Sequence, residues 1–196
     1  MGYKLLVTPY QGKIVSALYD GKRMVQVTAD ERQDSAVCLG GIYVGRVNNI
    51  AANINAAFVE LAPGVMGYLF LGGKILPITA NTHADGKIHV GDELVVQMER
   101  EAVKSKLASV TCAINLTGKY AVLVHGKAED GISSTILDQD MRGRLREFFL
   151  QHMGGGFGFI VRTNAVSATE EELLIQIESL IMRYEKLFNN GVHRTR

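Results

Sequence analysis

The stretch GIYVGRVNNIAANINAAFVELAPGVMGYLFL, Gly41 to Leu71, decides how the chain is read. In its middle, Ala57, Val59 and Leu61 fall on one side of a strand, and Phe58 and Glu60 on the other. Further on, Leu69 and Leu71 share a side, and Tyr68 and Phe70 share the opposite one. Turn residues separate these short apolar runs. The pattern continues through ELVVQMERE (Glu93–Glu101) and LASVTCAINL (Leu107–Leu116). Several short strands so arranged predict a small β-barrel over residues 36–118. Ala57, Val59 and Leu61 then form its core set, and Phe58 with at least one of Tyr68 and Phe70 points outward.

Working outward, residues 1–35 hold KLLVTPY, GKIVSALYD and RMVQVTA, three strands with an Asp20-Gly21 turn between the last two. A sheet this small does not bury its own apolar surface and must lean on something else. Residues 119–196 are mixed. YAVLVHG is a strand, and LDQDMRGRLREFFLQHM a helix with Met141, Leu145, Phe148 and Phe149 on one stripe, ended by Gly154–Gly156. FGFIV follows as a buried strand. A last helix carries Leu173, Ile177, Leu180, Tyr184 and Leu187 on one side. Ser167 and Glu170 are read as its capping box, Gly191 as its stop, and Gln176, Arg183 and Lys186 as its solvated face.

Composition narrows the classes. The 196 residues are 47% hydrophobic and include 21 glycines, which fits a folded, turn-rich chain rather than a disordered one. A net charge of +1 does not advertise a polyanion partner, although a local basic face is enough for one. No apolar run reaches the ~20 residues of a membrane span. Two distant cysteines, Cys38 and Cys112, outside any C-x-x-C pair, and no signal peptide, point to a reducing cytoplasm and away from zinc.

Exposed aromatics on an oligonucleotide-binding (OB) type barrel are platforms for unpaired bases, because every base has a π-face. Arg46, Lys104 and Lys106 lie on or beside the same strands and are suited to phosphates. The competing reading buries Phe58 and Tyr68 against the neighbouring module. Asp138 and Asp140 form a D-x-D that is better read as a helix cap than as a magnesium pair, since no third acid lies close. His83 and His89 read as part of a solvated loop rather than as metal ligands. GGGFGF lacks the Gly-Lys-Ser/Thr of a phosphate loop and is a turn. At the end of the buried strand stand Arg162 and Thr163. A guanidinium fork beside a hydroxyl suits a terminal phosphate, and a plain strand end is the alternative.

The combination IYVGRV, AAFVE and GYL, followed by GDELVVQMEREAVKSKLASVTCAINLTGKYAVLV and GFGFIVRTNAV, resembles the ribonuclease E/G family over essentially the whole chain. The resemblance implies an α+β fold, in which an S1 barrel of the OB type is inserted into a larger framework. Residues 1–35 correspond to part of an RNase H-like subdomain, and residues 119–196 to a region that senses RNA 5′ ends. It implies RNA contacts at Phe58, Tyr68 and Lys106, to which the strand reading above adds Arg46, and a 5′-monophosphate site at Arg162 and Thr163 with the backbone of Gly118 and Val122.

Two departures stand out. Ser134 and Thr135 occupy the place of the family's basic residues after G-I-S. The family's catalytic subdomain, with its magnesium-binding aspartates and cysteine pair, has no counterpart in these residues. The expectation is therefore a segment that binds single-stranded RNA, preferably 5′-monophosphorylated, and does not cut alone. No cofactor is expected in this chain; magnesium would serve the full-length enzyme. Its partners would be RNA and the remainder of the nuclease, with room for an oligomer and no membrane. The alternative is a stand-alone S1-type regulator or protein-interaction module without nuclease function.

Overall fold

The computed structural model describes residues 2–31, 37–73, 75–81, 83–104, 106–126 and 131–193. The chain forms two compact units, Met1–Cys38 and Leu39–Arg196.

The first unit is an antiparallel sheet of β1 (Lys4–Tyr10), β2 (Lys13–Tyr19) and β3 (Met24–Glu31), in that order. Asp20 makes the β2–β3 turn, its carboxylate accepting from the Lys22 and Arg23 amides at 3.1 and 3.0 Å. The register sets Leu6, Ala17 and Val27 side by side on one face. Leu6 and Val27 are both exposed.

The second unit starts with the barrel: β4 (Ile42–Ala51), β5 (Ala56–Ala62), β6 (Val65–Phe70), β7 (Ile78–Thr79), β8 (Glu93–Arg100) and β9 (Ala108–Thr111). The strands pair in the order β4-β5-β6-β9-β8, and β4 pairs again with β8, closing five strands; β7 adds to β8. Ala57, Val59, Leu61 and Leu69 are buried as the alternation predicts, beside Val47, Leu94, Val96, Met98 and Val110. Closure brings β4 and β5 so close that a Cβ on Gly45 would sit 2.4 Å from a Val59 methyl, so only glycine fits.

Beyond the barrel come β10 (Asn115–Thr117), β11 (Ala121–His125), β12 (Gly131–Ile132), α1 (Gln139–Leu150), β13 (Phe157–Val161) and α2 (Glu170–His193). The sheet order is β10-β11-β13-β12, with β12 parallel to β13. Phe157 and Phe159 face both helices. Phe159 meets Phe149 of α1 at 5.4 Å between ring centroids, and Phe157 meets Tyr184 of α2 at 5.0 Å. Val95 and Ile78 of the barrel join this core, so β8 is buried on both sides. Gln97 completes the junction, donating to the Gly40 and Asn115 carbonyls and accepting from the Asn115 amide. The architecture is α+β, with an OB-type barrel packed on a helix-covered sheet.

Several expectations need correction. LASVTCAINL is not one strand. It breaks at Cys112–Ile114, where the Ala113 amide turns back to the Thr111 hydroxyl, and its halves enter different sheets. The α2 capping box is Thr169 with Glu172, each side chain accepting from the other's amide at 3.2 and 3.0 Å. Ser167 instead closes a short 3-10 turn, Thr163–Ser167, its hydroxyl donating to the Asn164 carbonyl. Helix α2 runs through Gly191, because a glycine weakens a helix by only about 1 kcal/mol and does not by itself end one. Helix α1 ends at Leu150, ahead of the glycines.

The histidine loop is also more ordered than a solvated connection. His83 Nε2 lies 2.8 Å from the buried Asp92 carboxylate, which also accepts from the His89 amide. The two imidazoles stack at 4.0 Å. Of the cysteines, Cys38 is exposed, whereas burial pushes the Cys112 thiol up to about 11, which keeps it inert near neutral pH.

Candidate functional site

Two patches of the second unit gather the residues singled out above. On the barrel, Phe58 of β5 stands directly opposite Tyr68 of β6. Both rings are half-buried and meet edge to face, 6.4 Å between centroids. They lie on the side of the sheet away from the core, and Phe70 beyond them is exposed. Tyr68 is also level with Ser109 of β9. Such a pair leaves ring area open without dissolving into solvent, because each ring supports the other.

Arg46 is exposed on β4, but the register sets Glu60 opposite it on β5 and Glu93 on β8. Its charge is locally balanced, as cross-strand pairs of opposite sign favour. Lys106 is exposed in the β8–β9 hairpin, where its backbone exchanges hydrogen bonds with Val103 at 3.0 and 3.2 Å. Of the two cations, Lys106 has the freer setting.

The second patch lies where β13 ends. Val161 is buried and Arg162 emerges as the chain turns into the short 3-10 segment. The Arg162 amide donates to the Tyr120 carbonyl at 2.8 Å, and its Nη1 donates to the Gly118 carbonyl at 2.8 Å. One of the five guanidinium donors is thereby spent on fixing the fork in place. Thr163 Oγ1 lies 3.1 Å from Ser133 Oγ. Ser133 is held in turn: its amide donates to the Val161 carbonyl, and its own carbonyl accepts from Arg142 Nη1 of α1 at 2.8 Å. Arg162, Thr163, Ser133 and Gly118 thus converge on one exposed corner.

Val122 stands apart from that corner. It is mid-strand opposite Ile160, in the same phase of the ladder as the Arg162–Tyr120 bond, so its backbone N–H points at β13. Ser134 and Thr135 continue the turn past Ser133, the Thr135 amide donating to Ser133 Oγ at 3.4 Å.

Two contributors escaped the sequence reading. Ser133 sits just before the noted pair, and only the parallel β12–β13 pairing brings it to Thr163. Gln176 was read as solvated. Instead its Oε1 accepts from the Tyr120 and Ala121 amides at 2.5 and 3.1 Å. Nothing in the helical spacing distinguishes it from Arg183 or Lys186, which are exposed. The acids of the D-x-D do not gather a metal: Asp138 caps α1, accepting from the Met141 amide at 2.9 Å. Among the described residues no group of three His, Cys, Asp or Glu is arranged to hold a cation.

Comparison with known proteins gives a consistent result. A model of the ribonuclease E/G family matches residues 115–195, the part that holds Gly118, Ser133, Arg162 and Thr163. Ribonuclease G of Salmonella typhimurium (strain SL1344) is 28% identical over 178 residues, covering 85% of this chain and 36% of that protein. Ribonuclease E of Escherichia coli (strain K12) is 28% identical over 196 residues, covering 93% and 18%. Ribonuclease E of Nostoc sp. (strain PCC 7120) is 30% identical over 153 residues, covering 76% and 22%. The chain spans about a third of the ribonuclease G relatives and less of the ribonuclease E proteins.

Proposed function

Because the chain belongs to the ribonuclease E/G family, we propose that it binds single-stranded RNA and recognises a 5′-monophosphate end. The barrel acts as an S1 domain. Bases stack on Phe58 and Tyr68, and Lys106, with a smaller contribution from Arg46, meets phosphates. The 5′-phosphate enters the corner at the end of β13, where the Arg162 fork grips two oxygens and the Thr163 hydroxyl donates to a third. Within a complete enzyme of this family the segment serves RNA processing and decay in the cytoplasm by delivering the strand to a magnesium-dependent endonuclease centre. The observation that carries this reading is the Arg162–Gly118 hydrogen bond, which fixes an exposed guanidinium beside a paired threonine hydroxyl.

Losing charge-assisted hydrogen bonds to the terminal phosphate costs about 1.5–3 kcal/mol. Titration of two short RNAs that differ only in a 5′-phosphate or 5′-hydroxyl tests the proposal. The parent chain is expected to prefer the phosphate by roughly 10- to 100-fold at low salt, and Arg162→Ala to erase the preference. Equal affinities in the parent, or an undiminished preference in Arg162→Ala, would refute it.

A further inference from the structure

We propose that Gln176 is a positioning residue for the phosphate corner, an inference that rests on the reading above. The loop between β10 and β11 has to present the Gly118 carbonyl to Arg162. Its own bonds define it only partly, through the Gly118 amide donating to the Ala121 carbonyl at 2.8 Å. Beyond the bonds to Arg162, further restraint comes from α2. Two backbone N–H groups, those of Tyr120 and Ala121, converge on one side-chain atom of residue 176. Only an acceptor satisfies both, so that atom is the carboxamide oxygen and the NH₂ points elsewhere.

Tyr120 is the hinge of the arrangement. Its N–H goes to Gln176, while its carbonyl receives the Arg162 amide. One residue therefore links α2 to the backbone of the arginine, and Gly118, two residues earlier, links the same turn to the guanidinium. The fit on the helix side is close. A Cβ on Gly118 would lie 2.7 Å from the Gln176 carboxamide carbon, so any larger residue there has to displace the carboxamide.

A second contact from the same helix face reinforces the first. Glu172 lies one turn before Gln176. Its carboxyl is held below the usual range, chiefly by the Thr169 amide and also by the Tyr120 hydroxyl and the Lys119 ammonium. Lys119 Nζ in turn donates to the Tyr120 hydroxyl at 2.7 Å. The first turns of α2 thus hold residues 118–121 from two points, and of these Gln176 alone bonds the turn's backbone. Its hydrogen bonds go to Tyr120 and Ala121, not to Arg162 or Thr163. Its effect passes through the placement of the Gly118 carbonyl, and so bears on recognition of the RNA end rather than on binding of the strand.

The same pair of RNAs tests this, with the chain and its Gln176→Leu, Gln176→Glu, Gly118→Ala and Arg162→Ala variants. Leucine keeps the volume and removes the acceptor; glutamate keeps an acceptor for both amides. In Gln176→Leu the preference for the 5′-phosphate is expected to fall about tenfold, toward that of Arg162→Ala, with 5′-hydroxyl RNA bound as in the parent. Gln176→Glu should restore most of the preference. Gly118→Ala, which drives the carboxamide off the turn, should reproduce the loss from the opposite side, and does so even if the leucine variant fails to fold. An undiminished preference in Gln176→Leu and Gly118→Ala, where Arg162→Ala has lost it, would overturn the assignment and leave the phosphate site standing. Equal loss for both RNAs would also overturn it, by showing a general structural effect. A parent with no preference removes the phosphate site itself, and the positioning role with it.

Discussion

Phe159→Ala is expected to cost the second unit about 3–5 kcal/mol, a large fraction of the ~5–15 kcal/mol that holds a domain folded. The ring is fully buried and sits between two others, Phe149 at 5.4 Å and Phe157 at 5.8 Å, both edge to face. Alanine removes the transfer free energy of the ring and opens a cavity on a strand that pairs on both sides. Collapse is hard there, because β11 and β12 fix the backbone of β13. Urea unfolding followed by circular dichroism should show the midpoint of the variant far below that of the parent, or no folded baseline. Leu137→Ala is the control: that side chain is 82% exposed, and its loss should change stability by no more than about 0.5 kcal/mol. Similar midpoints for Phe159→Ala and the parent would mean that the helix-covered sheet is not the core described here.

Phe58→Ala and Tyr68→Ala should each weaken single-stranded RNA binding by about 1–3 kcal/mol while leaving the barrel folded. The half-buried rings lie outside the barrel core, which is filled by Val47, Val59, Leu69, Leu94 and Val110. Their mutual contact implies that the two losses are not additive, since each truncation also unsettles the other ring. Lys106→Ala should act differently, reducing the salt dependence of binding by about 0.7 of a logarithmic unit of slope. Fluorescence anisotropy over a salt series separates the two effects. Aromatic variants that bind RNA as the parent does but melt early would assign the rings to packing.

Much of this was legible in the sequence because it depends on local period. The alternation Ala57, Val59, Leu61 survives into the barrel, since a closed small barrel has an inside that admits only apolar side chains. The stripe Leu173, Ile177, Leu180, Tyr184 survives because one side of α2 covers a sheet. What the sequence did not disclose depends on contacts distant in the chain. The break at Cys112–Ile114 reflects a hand-over between two sheets, and β-propensity is equally high on both sides of it. The His83–Asp92 pair is invisible to composition because a polar loop and a hydrogen-bonded loop use the same residues. At the candidate site, Arg162 and Thr163 were legible as an unusual pair after a buried strand. Ser133 and Gln176 were not, being separated by 30 residues from Thr163 and 56 from Tyr120.

The central claim is that the corner at the end of β13 receives a terminal phosphate. Its most direct test is an NMR titration of the labelled chain with one dinucleotide, prepared with and without a 5′-phosphate. The phosphorylated form is predicted to shift the backbone amides of Gly118, Ser133, Arg162 and Thr163 in a saturable way, while the unphosphorylated form leaves them in place. Identical shifts with both forms, or a phosphate-dependent response confined to other residues, would contradict the account.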